Sequence, residues 1–391
     1  MNHALLHVPS KNEVYPPVKY YALSYNYDFS QMVTKVCNIG DNFQSFAVCN
    51  ALKKNGITSD QIGFLDRETL GLEAMTPNEG ILIAQGWFVH GTKEHPMLPI
   101  HPSKARQVLF FGFHLNKSAW GTLKKCPDFR TFMKSHEPIG CRDIPTRDFL
   151  RTLKVKAYFS RCLTLTFDKQ KEPTGEYIYF IDHNDQVLKY LPPSLAGKEK
   201  FLSQEIPPDN IPMGEKDVQN IDDIAKKRYI ELKQNAKMIV TKRIHIAMPF
   251  SAMGIPVILT ADRPRSERIS VVKEILPIYG KKKFKRINWN ISAPDIEKLK
   301  SEILLMFTYA LGKKEQQIGI VHNRLSQAHY EKAALLMEKA CSITLKDRFN
   351  FLLTRFISGL QTIIQARKIV KPIEHAIKDI GARLGLRQKN A

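Results

Sequence analysis

The chain has 391 residues, more than one compact core usually holds, so two domains are the default expectation. Hydrophobic residues make up 43% and charged residues 25%, which excludes a mostly disordered chain. The 59 Lys and Arg residues exceed the 38 Asp and Glu residues by 21 charges, so we expect a polyanionic partner: nucleic acid, an anionic membrane, or a phosphorylated or carboxylated substrate.

A turn at 38–41 precedes the first predicted helix, in which apolar residues recur at helical spacing over 43–52. Asp41 is expected to be the N-cap, with Gln44 completing a capping box. Gly40 allows close backbone approach, and the free N–H groups at a helix start favour an anion or a hydroxyl ligand. The motif alone leaves two interpretations of Asp41 open, a simple cap or a catalytic group.

Apolar runs predict buried parallel strands in the same half of the chain, at 19–24, 81–84, 108–111 and 138–142. The second and third are expected to turn sharply at Gly86 and Gly112, and a helix is expected at 146–153. Ligands of open α/β sheets bind at the carboxyl ends of the strands, so Arg142 is placed to grip a phosphate or carboxylate. The alternative is a surface pair of Arg142 and Asp143 that only shapes the turn.

The second half of the chain repeats the alternation of strands and helices. Strands are predicted at 177–182, 238–241 and 256–259, and helices at 221–237 and 295–311, with a further helix starting at Pro249. Weak patterning at 168–176 and prolines at 192–213 suggest boundaries. We therefore predict an α/β fold with two Rossmann-type units, domain 1–172 and domain 173–312, followed by a tail at 313–391.

Arg243 and His245 make segment 236–258 the most informative one. They lie two apart in an otherwise apolar stretch, which implies polar groups kept for function. In an extended stretch positions i and i+2 point the same way, so both side chains are expected to meet one ligand. Arginine supplies fixed charge and histidine a proton that moves near neutral pH. The alternative for His245 is a satisfied core residue.

The end of the tail is basic and amphipathic. Ten basic and three acidic residues lie in 346–391, and apolar residues recur there at intervals of three and four. One interpretation is a helix packed back on the domains. The other is adhesion to an anionic leaflet, to which each Lys or Arg near the surface contributes about 1 kcal/mol.

The cysteines and the first residues indicate the compartment. Six cysteines without a CxxC pair are typical neither of a zinc site nor of a disulfide framework. The first residues lack the basic-then-apolar pattern of a signal peptide. We therefore expect reduced thiols, no metal or cofactor, and a cytoplasmic protein, at most peripheral on the inner face of the cytoplasmic membrane.

In their order and spacing, these motifs resemble the polysaccharide pyruvyl transferase family over about residues 36–310. The resemblance rests on the turn at 38–41, the Gly-Cys-Arg-Asp motif at 140–143 and the Val-Thr-x-Arg-x-His block at 240–245. It implies a GT-B-like pair of Rossmann-type domains whose parallel sheets face a cleft, with 1–172 as the acceptor-side domain and 173–312 as the donor-side domain. It also implies phosphoenolpyruvate as donor and a sugar hydroxyl pair as acceptor, giving a ketal on a cell-surface polysaccharide or lipid-linked glycan.

The resemblance also implies roles for single residues. Arg142 and Arg243 match donor-binding positions, His245 is the first candidate for catalysis and His114 is the second. The expected substrate-binding residues are Asn38, Gly40, Asp41, Gly86 and Trp87. Clamped between the two arginines, the donor would need no metal to neutralise its charge, because each charge-assisted contact contributes about 1.5–3 kcal/mol.

Two alternative functions remain open at this point. The same fold would suit a GT-B glycosyltransferase that uses a nucleotide sugar. The charge of +21 also prompts a nucleic-acid-binding protein, although the chain has no Cys/His finger, RNP-like motif or recognisable helix-turn-helix.

Overall fold

The computed structural model describes residues 19–25, 37–89, 97–171, 175–207, 217–262 and 267–342. Met1–Cys341 form one compact unit and Ser342–Ala391 a second. The basic amphipathic segment 346–391, for which membrane adhesion or packing on the domains was predicted, lies outside the described residues. The predicted domain limits at 172 and 312 stay predictions.

Strands and helices alternate along the described chain, as predicted. The strands are β1 Tyr20–Ser24, β2 Cys37–Asn38, β3 Ile62–Asp66, β4 Ile81–Phe88, β5 Gln107–Leu115, β6 Ile139–Cys141, β7 Ala157–Phe159, β8 Tyr177–Ile181, β9 Glu199–Leu202, β10 Glu205–Ile206, β11 Ala236–Thr241, β12 Val257–Thr260 and β13 Ile278–Tyr279. The helices are α1 Asn42–Lys54, α2 Lys117–Lys124, α3 Pro127–Ser135, α4 Ile144–Thr152, α5 Asp217–Asn235, α6 Ile244–Ala252, α7 Glu297–Gln317 and α8 Gln327–Cys341.

Two parallel sheets form the core. The first has the order β3-β1-β4-β5-β6-β7 and the second the order β13-β12-β11-β8-β9. The central strands are almost wholly buried and read as continuous apolar runs, as expected for parallel strands covered on both faces. An α/β fold with parallel sheets is thus confirmed, with α7 and α8 as its helical C-terminal region.

The glycines at 86 and 112 do not end their strands, contrary to the prediction. Ala84 lies opposite Phe110 whereas Gly86 lies opposite Phe113, so β5 contains one extra residue. Gly112 has a φ of 70°, and a Cβ there would lie 2.7 Å from Oε1 of Gln85. Glycine therefore permits a bulge inside the strand, not a turn, and β5 continues to its carboxyl end.

The segment containing Arg243 and His245 is also not extended as predicted. Helix α6 begins at Ile244 and includes Pro249 in its interior. The prediction placed the helix start at Pro249 because proline is favoured in the first turn. All nine residues of α6 are buried, and we attribute the earlier start to this burial, which outweighs the local signal of the proline.

A short ladder and a long helix join the elements of the two sheets. β2 pairs with β10, and the backbone N–H of Ile39 donates to the carbonyl of Gln204 at 3.0 Å. The Pro-rich stretch 192–213, expected to be a boundary, thus contains β9 and β10. In α7, Lys300 donates to the carbonyl of Ala252 while Phe307 packs edge-on against Phe111 at 5.3 Å.

Two further findings concern the described residues as a whole. All six cysteines lie among the described residues, and the structure has no disulfide between them. In the described part of the chain, no helix combines the length and the apolar character that a bilayer crossing requires.

Candidate active site

The carboxyl ends of both sheets supply the polar residues of one buried cluster. Open α/β sheets bind ligands at this edge. The first sheet contributes residues that end or follow its strands: Tyr25, Arg67, Trp87, His114 and Arg142. The second sheet contributes Asp182, Gln204 and Arg243 in the same way, together with His245 from the first turn of α6.

Arg142 lies at the centre of this cluster and is 1% exposed. Its Nη1 donates to Oε1 of Gln44 at 2.9 Å and contacts Nε2 of His245 at 2.8 Å. Its Nη2 is buried and has no hydrogen-bond partner among the described residues. The alternative of a surface pair with Asp143 is therefore wrong, and one arm of a buried cation is left for an acceptor.

The contact with Arg142 determines the tautomer of His245. A guanidinium cannot accept a hydrogen bond, so Nε2 of His245 must be the acceptor. The proton of the neutral imidazole then lies on Nδ1, which is 3.5 Å from Oδ1 of Asp41. Asp41, His245 and Arg142 thus form a buried row of three side chains from distant parts of the sequence.

Asp41 occupies the N-cap position of α1 but does not cap it, which corrects the predicted capping box. Its Oδ2 accepts from Nη1 of Arg67 at 3.2 Å and its Oδ1 from Nε2 of Gln44 at 3.1 Å. Burial raises the pKa of the Asp41 carboxyl, but the hydrogen bond from His245 and the charge of Arg67 outweigh it and lower the pKa to about 2. The Asp41 carboxylate is therefore ionised, and its hydrogen bonds with buried side chains fix its position.

A second imidazole–carboxylate pair lies next to the first group. Nδ1 of His114 is 2.5 Å from Oδ2 of Asp143, and both side chains are buried. Asp143 also caps α4 by accepting from the backbone N–H of Thr146 at 2.9 Å. Burial raises the pKa of Asp143, but the hydrogen bond and charge of His114 and the charge of Arg142 lower it overall. An ionised carboxylate at this distance stabilises the imidazolium form of His114.

The side chain of Arg243 points away from Asp41, His245 and Arg142. The reason is that Arg243 precedes α6, whereas His245 lies inside this helix. Its Nε donates to Oδ2 of Asp182 at 2.8 Å, and its Nη2 is paired with the carboxylate of Glu205. In the described residues the second sheet therefore presents His245, not Arg243, to Arg142. The donor-binding role predicted for Arg243 stays a prediction.

Gly40 is required by a close approach between the two halves. A Cβ at this position would lie 2.8 Å from Oε1 of Gln204 and 3.3 Å from Cβ of His245. The side chain of Asn38 accepts from the N–H of Gly40 at 3.2 Å and holds the turn. Asn38, Gly40 and Asp41 thus lie close to His245, and their substrate-binding role stays a prediction.

Gly86 and Trp87 lie at the edge of the cluster. A Cβ at Gly86 would lie 3.0 Å from Cδ1 of Leu23, so this glycine serves packing against β1. The carbonyl of Trp87 accepts from Nη1 of Arg67 at 3.3 Å, and its ring lies beneath the same guanidinium at 5.6 Å. Arg67 therefore connects Trp87 with Asp41.

Sequence reasoning missed Arg67, Tyr25 and Gln204. Arg67 is 4% exposed and lies 4.7 Å above the ring of Tyr25. It follows β3, a half-exposed strand that was not predicted because it lacks a continuous apolar run. A clue to Arg67 was an arginine placed after a short β-prone segment. Tyr25 directly follows β1, while Gln204 lies in the stretch interpreted as a boundary.

This arrangement can bind an anion and transfer protons. Arg142 offers a buried cationic donor, His245 is a neutral imidazole oriented by Asp41, and His114 is an imidazole paired with Asp143. Across the described ranges, no group of three or more His, Cys, Asp or Glu side chains has the geometry to hold a metal ion.

Comparisons with known proteins give a match to a protein family and a match to a solved structure. A family model described as polysaccharide pyruvyl transferase matches residues 38–262, more than half of the chain. No curated protein matches the chain. Among solved structures, one of a functionally uncharacterized protein from Klebsiella pneumoniae subsp. pneumoniae has 13% identity, covers 67% of this chain and 92% of that chain, and gives a TM-score of 0.40.

Proposed function

The chain belongs to the polysaccharide pyruvyl transferase family and is a transferase, and from this premise we propose that phosphoenolpyruvate is its donor. The acceptor is a hydroxyl pair on a sugar of a cell-surface polysaccharide or lipid-linked glycan. The observation that supports this most is Arg142, a buried guanidinium that has one arm without a described partner and lies beside an oriented imidazole.

Arg142 binds the donor in this proposal. Phosphoenolpyruvate carries a carboxylate and a phosphate, and Nη2 of Arg142 donates to one of them with a charge-assisted bond contributing about 1.5–3 kcal/mol. Arg243 is the second donor-binding candidate. To bind the donor, its guanidinium must release the carboxylate of Glu205, a half-exposed residue. Cations preorganised in a buried site also stabilise the phosphate as it leaves.

The two imidazoles divide the proton transfers. His114, beside ionised Asp143, protonates the methylene carbon of the donor, so the neighbouring carbon becomes electrophilic. A sugar hydroxyl attacks that carbon, the C–O bond to phosphate breaks, and the second hydroxyl closes the ketal. One hydroxyl proton restores His114. The other passes through His245 to the leaving phosphate, and for this step Nε2 of His245 exchanges its hydrogen bond from Nη1 of Arg142 for the hydroxyl proton.

The wider assignments follow from the same proposal. The two sheets form a GT-B-like pair with the active site between them, and segment 346–391 attaches the protein to the anionic inner face of the cytoplasmic membrane. This placement brings a cytoplasmic donor to a lipid-linked acceptor.

Incubating the purified protein with a lipid-linked or polysaccharide acceptor preparation and either phosphoenolpyruvate or a UDP- or GDP-sugar tests the proposal. We expect acceptor-dependent release of inorganic phosphate from phosphoenolpyruvate, with a ketal detected by mass spectrometry. Release of UDP or GDP with no use of phosphoenolpyruvate would favour the glycosyltransferase alternative and overturn the proposal.

A further inference from the structure

We propose that Gln204 binds the acceptor sugar, with its side-chain amide contacting two neighbouring hydroxyls. This inference rests on the proposed function, because it assumes that the ligand of this cluster includes a sugar. Gln204 is not among the substrate-binding residues that the resemblance implied. The amide of Gln204 would give the cluster a second ligand-binding group, in addition to Nη2 of Arg142, which binds the anion.

Gln204 is a buried amide whose polar atoms are unused. Its side chain is 0% exposed, and neither Oε1 nor Nε2 has a hydrogen-bond partner among the described residues. A buried amide without partners costs about 1–3 kcal/mol, so such a group in a native protein calls for an explanation. A ligand that supplies both partners is one.

The backbone holds this amide in place. The N–H of Gln204 donates to Oδ2 of Asp182 at 3.0 Å, and its carbonyl accepts from the N–H of Ile39 at 3.0 Å. Arg243 bonds the same Oδ2 of Asp182 and also Glu205, the next residue along the chain. The backbone at Gln204 is therefore fixed on both sides before any ligand binds.

The amide lies beside the buried row of Asp41, His245 and Arg142. A Cβ built on Gly40 would lie 2.8 Å from Oε1 of Gln204 and 3.3 Å from Cβ of His245. Gly40, which has no side chain, thus lies between the amide oxygen of Gln204 and Cβ of His245. A sugar held by Gln204 would have its hydroxyls near His245.

The chemistry of the free atoms distinguishes two kinds of ligand. Nη2 of Arg142 can only donate, which suits a carboxylate or phosphate. Gln204 presents one acceptor and one donor side by side, and an anion would leave Oε1 unpaired. Hydroxyls both donate and accept, so two adjacent hydroxyls satisfy both ends of the amide. The anionic donor therefore belongs on Arg142 and the sugar on Gln204.

Gln85 is the matched comparison within the first sheet. It is also buried, but its Nε2 donates to the carbonyl of Gln44 at 3.0 Å and its Oε1 accepts from the N–H of Leu163 at 2.9 Å. This glutamine is structural, because its removal leaves two buried backbone groups unpaired. Leucine has a similar volume, so the same substitution at Gln85 and Gln204 separates a structural amide from a ligand-binding one.

The first experiment compares the thermal stability of Q204L and Q85L without any ligand. We expect the Tm of Q204L to equal or exceed that of the wild type, because no partner is lost. We expect the Tm of Q85L to fall. A drop for Q204L as large as that for Q85L would show that the amide is structural and would overturn the inference.

The second experiment measures binding of methyl β-D-galactopyranoside and methyl β-D-glucopyranoside by saturation-transfer NMR, with phosphoenolpyruvate binding followed by calorimetry. We expect the wild type to bind at least one hexoside and Q204L to bind it about tenfold more weakly, since two hydrogen bonds are lost. Affinity for phosphoenolpyruvate should be unchanged. Equal hexoside affinity in Q204L, or no hexoside binding by the wild type, overturns the assignment of Gln204.

Hexoside binding and phosphoenolpyruvate binding test the role of Gln204 and the proposed donor independently. A wild type that binds hexoside through Gln204 but never binds phosphoenolpyruvate would contradict the proposed donor and leave the role of Gln204 supported. A wild type that binds phosphoenolpyruvate but neither hexoside would contradict the role of Gln204 alone.

Discussion

Arg142 and His245 meet through a single contact of 2.8 Å between Nη1 and Nε2, although 103 residues separate them in the chain. Arg142 follows a strand of the first sheet and His245 lies in the first turn of a helix that follows a strand of the second. The guanidinium fixes the imidazole in its neutral form with the proton facing Asp41. This relationship joins the two halves of the protein in one buried polar cluster.

Replacing Arg142 with lysine tests its forked geometry. Lysine keeps the charge but cannot reach Gln44, His245 and a ligand together. We expect kcat/KM for phosphoenolpyruvate to fall about 100-fold, corresponding to about 3 kcal/mol, in a phosphate-release assay. R106K is the control, because Arg106 is 52% exposed and its pair with Glu79 is at the surface. An R142K enzyme as active as R106K would contradict the donor-binding role.

Replacing Asp41 with asparagine tests the orientation of His245. The amide keeps the shape but loses the charge that holds the Nδ1 proton, so the wrong tautomer becomes accessible. We expect kcat to fall by about 10²–10⁴ while KM for phosphoenolpyruvate changes little. D128N, an exposed residue in the first turn of α3, should match the wild type. A rise in KM with unchanged kcat would point to binding instead.

Substitution of Gly40 by alanine tests the close approach at the cluster. The new methyl group would lie 2.8 Å from Oε1 of Gln204 and 3.3 Å from Cβ of His245, so the amide must move and the packing against His245 must adjust. We expect lower activity and a free energy of unfolding reduced by about 1–3 kcal/mol, measured by urea denaturation. In G121A the new Cβ meets nothing within 4 Å in helix α2, so stability should rise by about 0.5–1 kcal/mol. Equal effects of the two substitutions would refute the steric argument.

His136 predicts a loss of stability in acid. Burial and the charge of Lys314 lower its pKa from 6.5 to about 4. Between these values the unfolded chain binds more protons than the folded one, so stability rises with pH across this range and is lost on acidification. The shift corresponds to about 3 kcal/mol at most. Urea denaturation at pH 7 and pH 4.5 should therefore show a smaller pH effect in H136F than in the wild type.

The ring contacts of His136 make phenylalanine a suitable replacement. His136 packs against Phe132 at 4.7 Å and Phe110 at 6.1 Å, and its Nδ1 has no hydrogen-bond partner among the described residues. H136F should therefore be at least as stable as the wild type at pH 7. An unchanged pH effect in H136F would assign the acid sensitivity to other groups.

The sequence by itself determined the class of fold and several site residues. Continuous apolar runs are local features, so they predicted the buried strands near 81 and 108 and the strand before Arg142. The Arg-x-His block was likewise found from polar residues in an apolar stretch. These patterns predict strands because a buried strand requires apolar residues within the strand itself.

Only the tertiary structure decided what those residues contact. The burial of α6 sends Arg243 and His245 in different directions, and Arg67 turns Asp41 from a helix cap into a buried, ionised partner of His245. Each of these outcomes depends on side chains that lie far apart in the chain. Periodicity and capping rules describe neighbours within an element, so they contain no information about such long-range pairs.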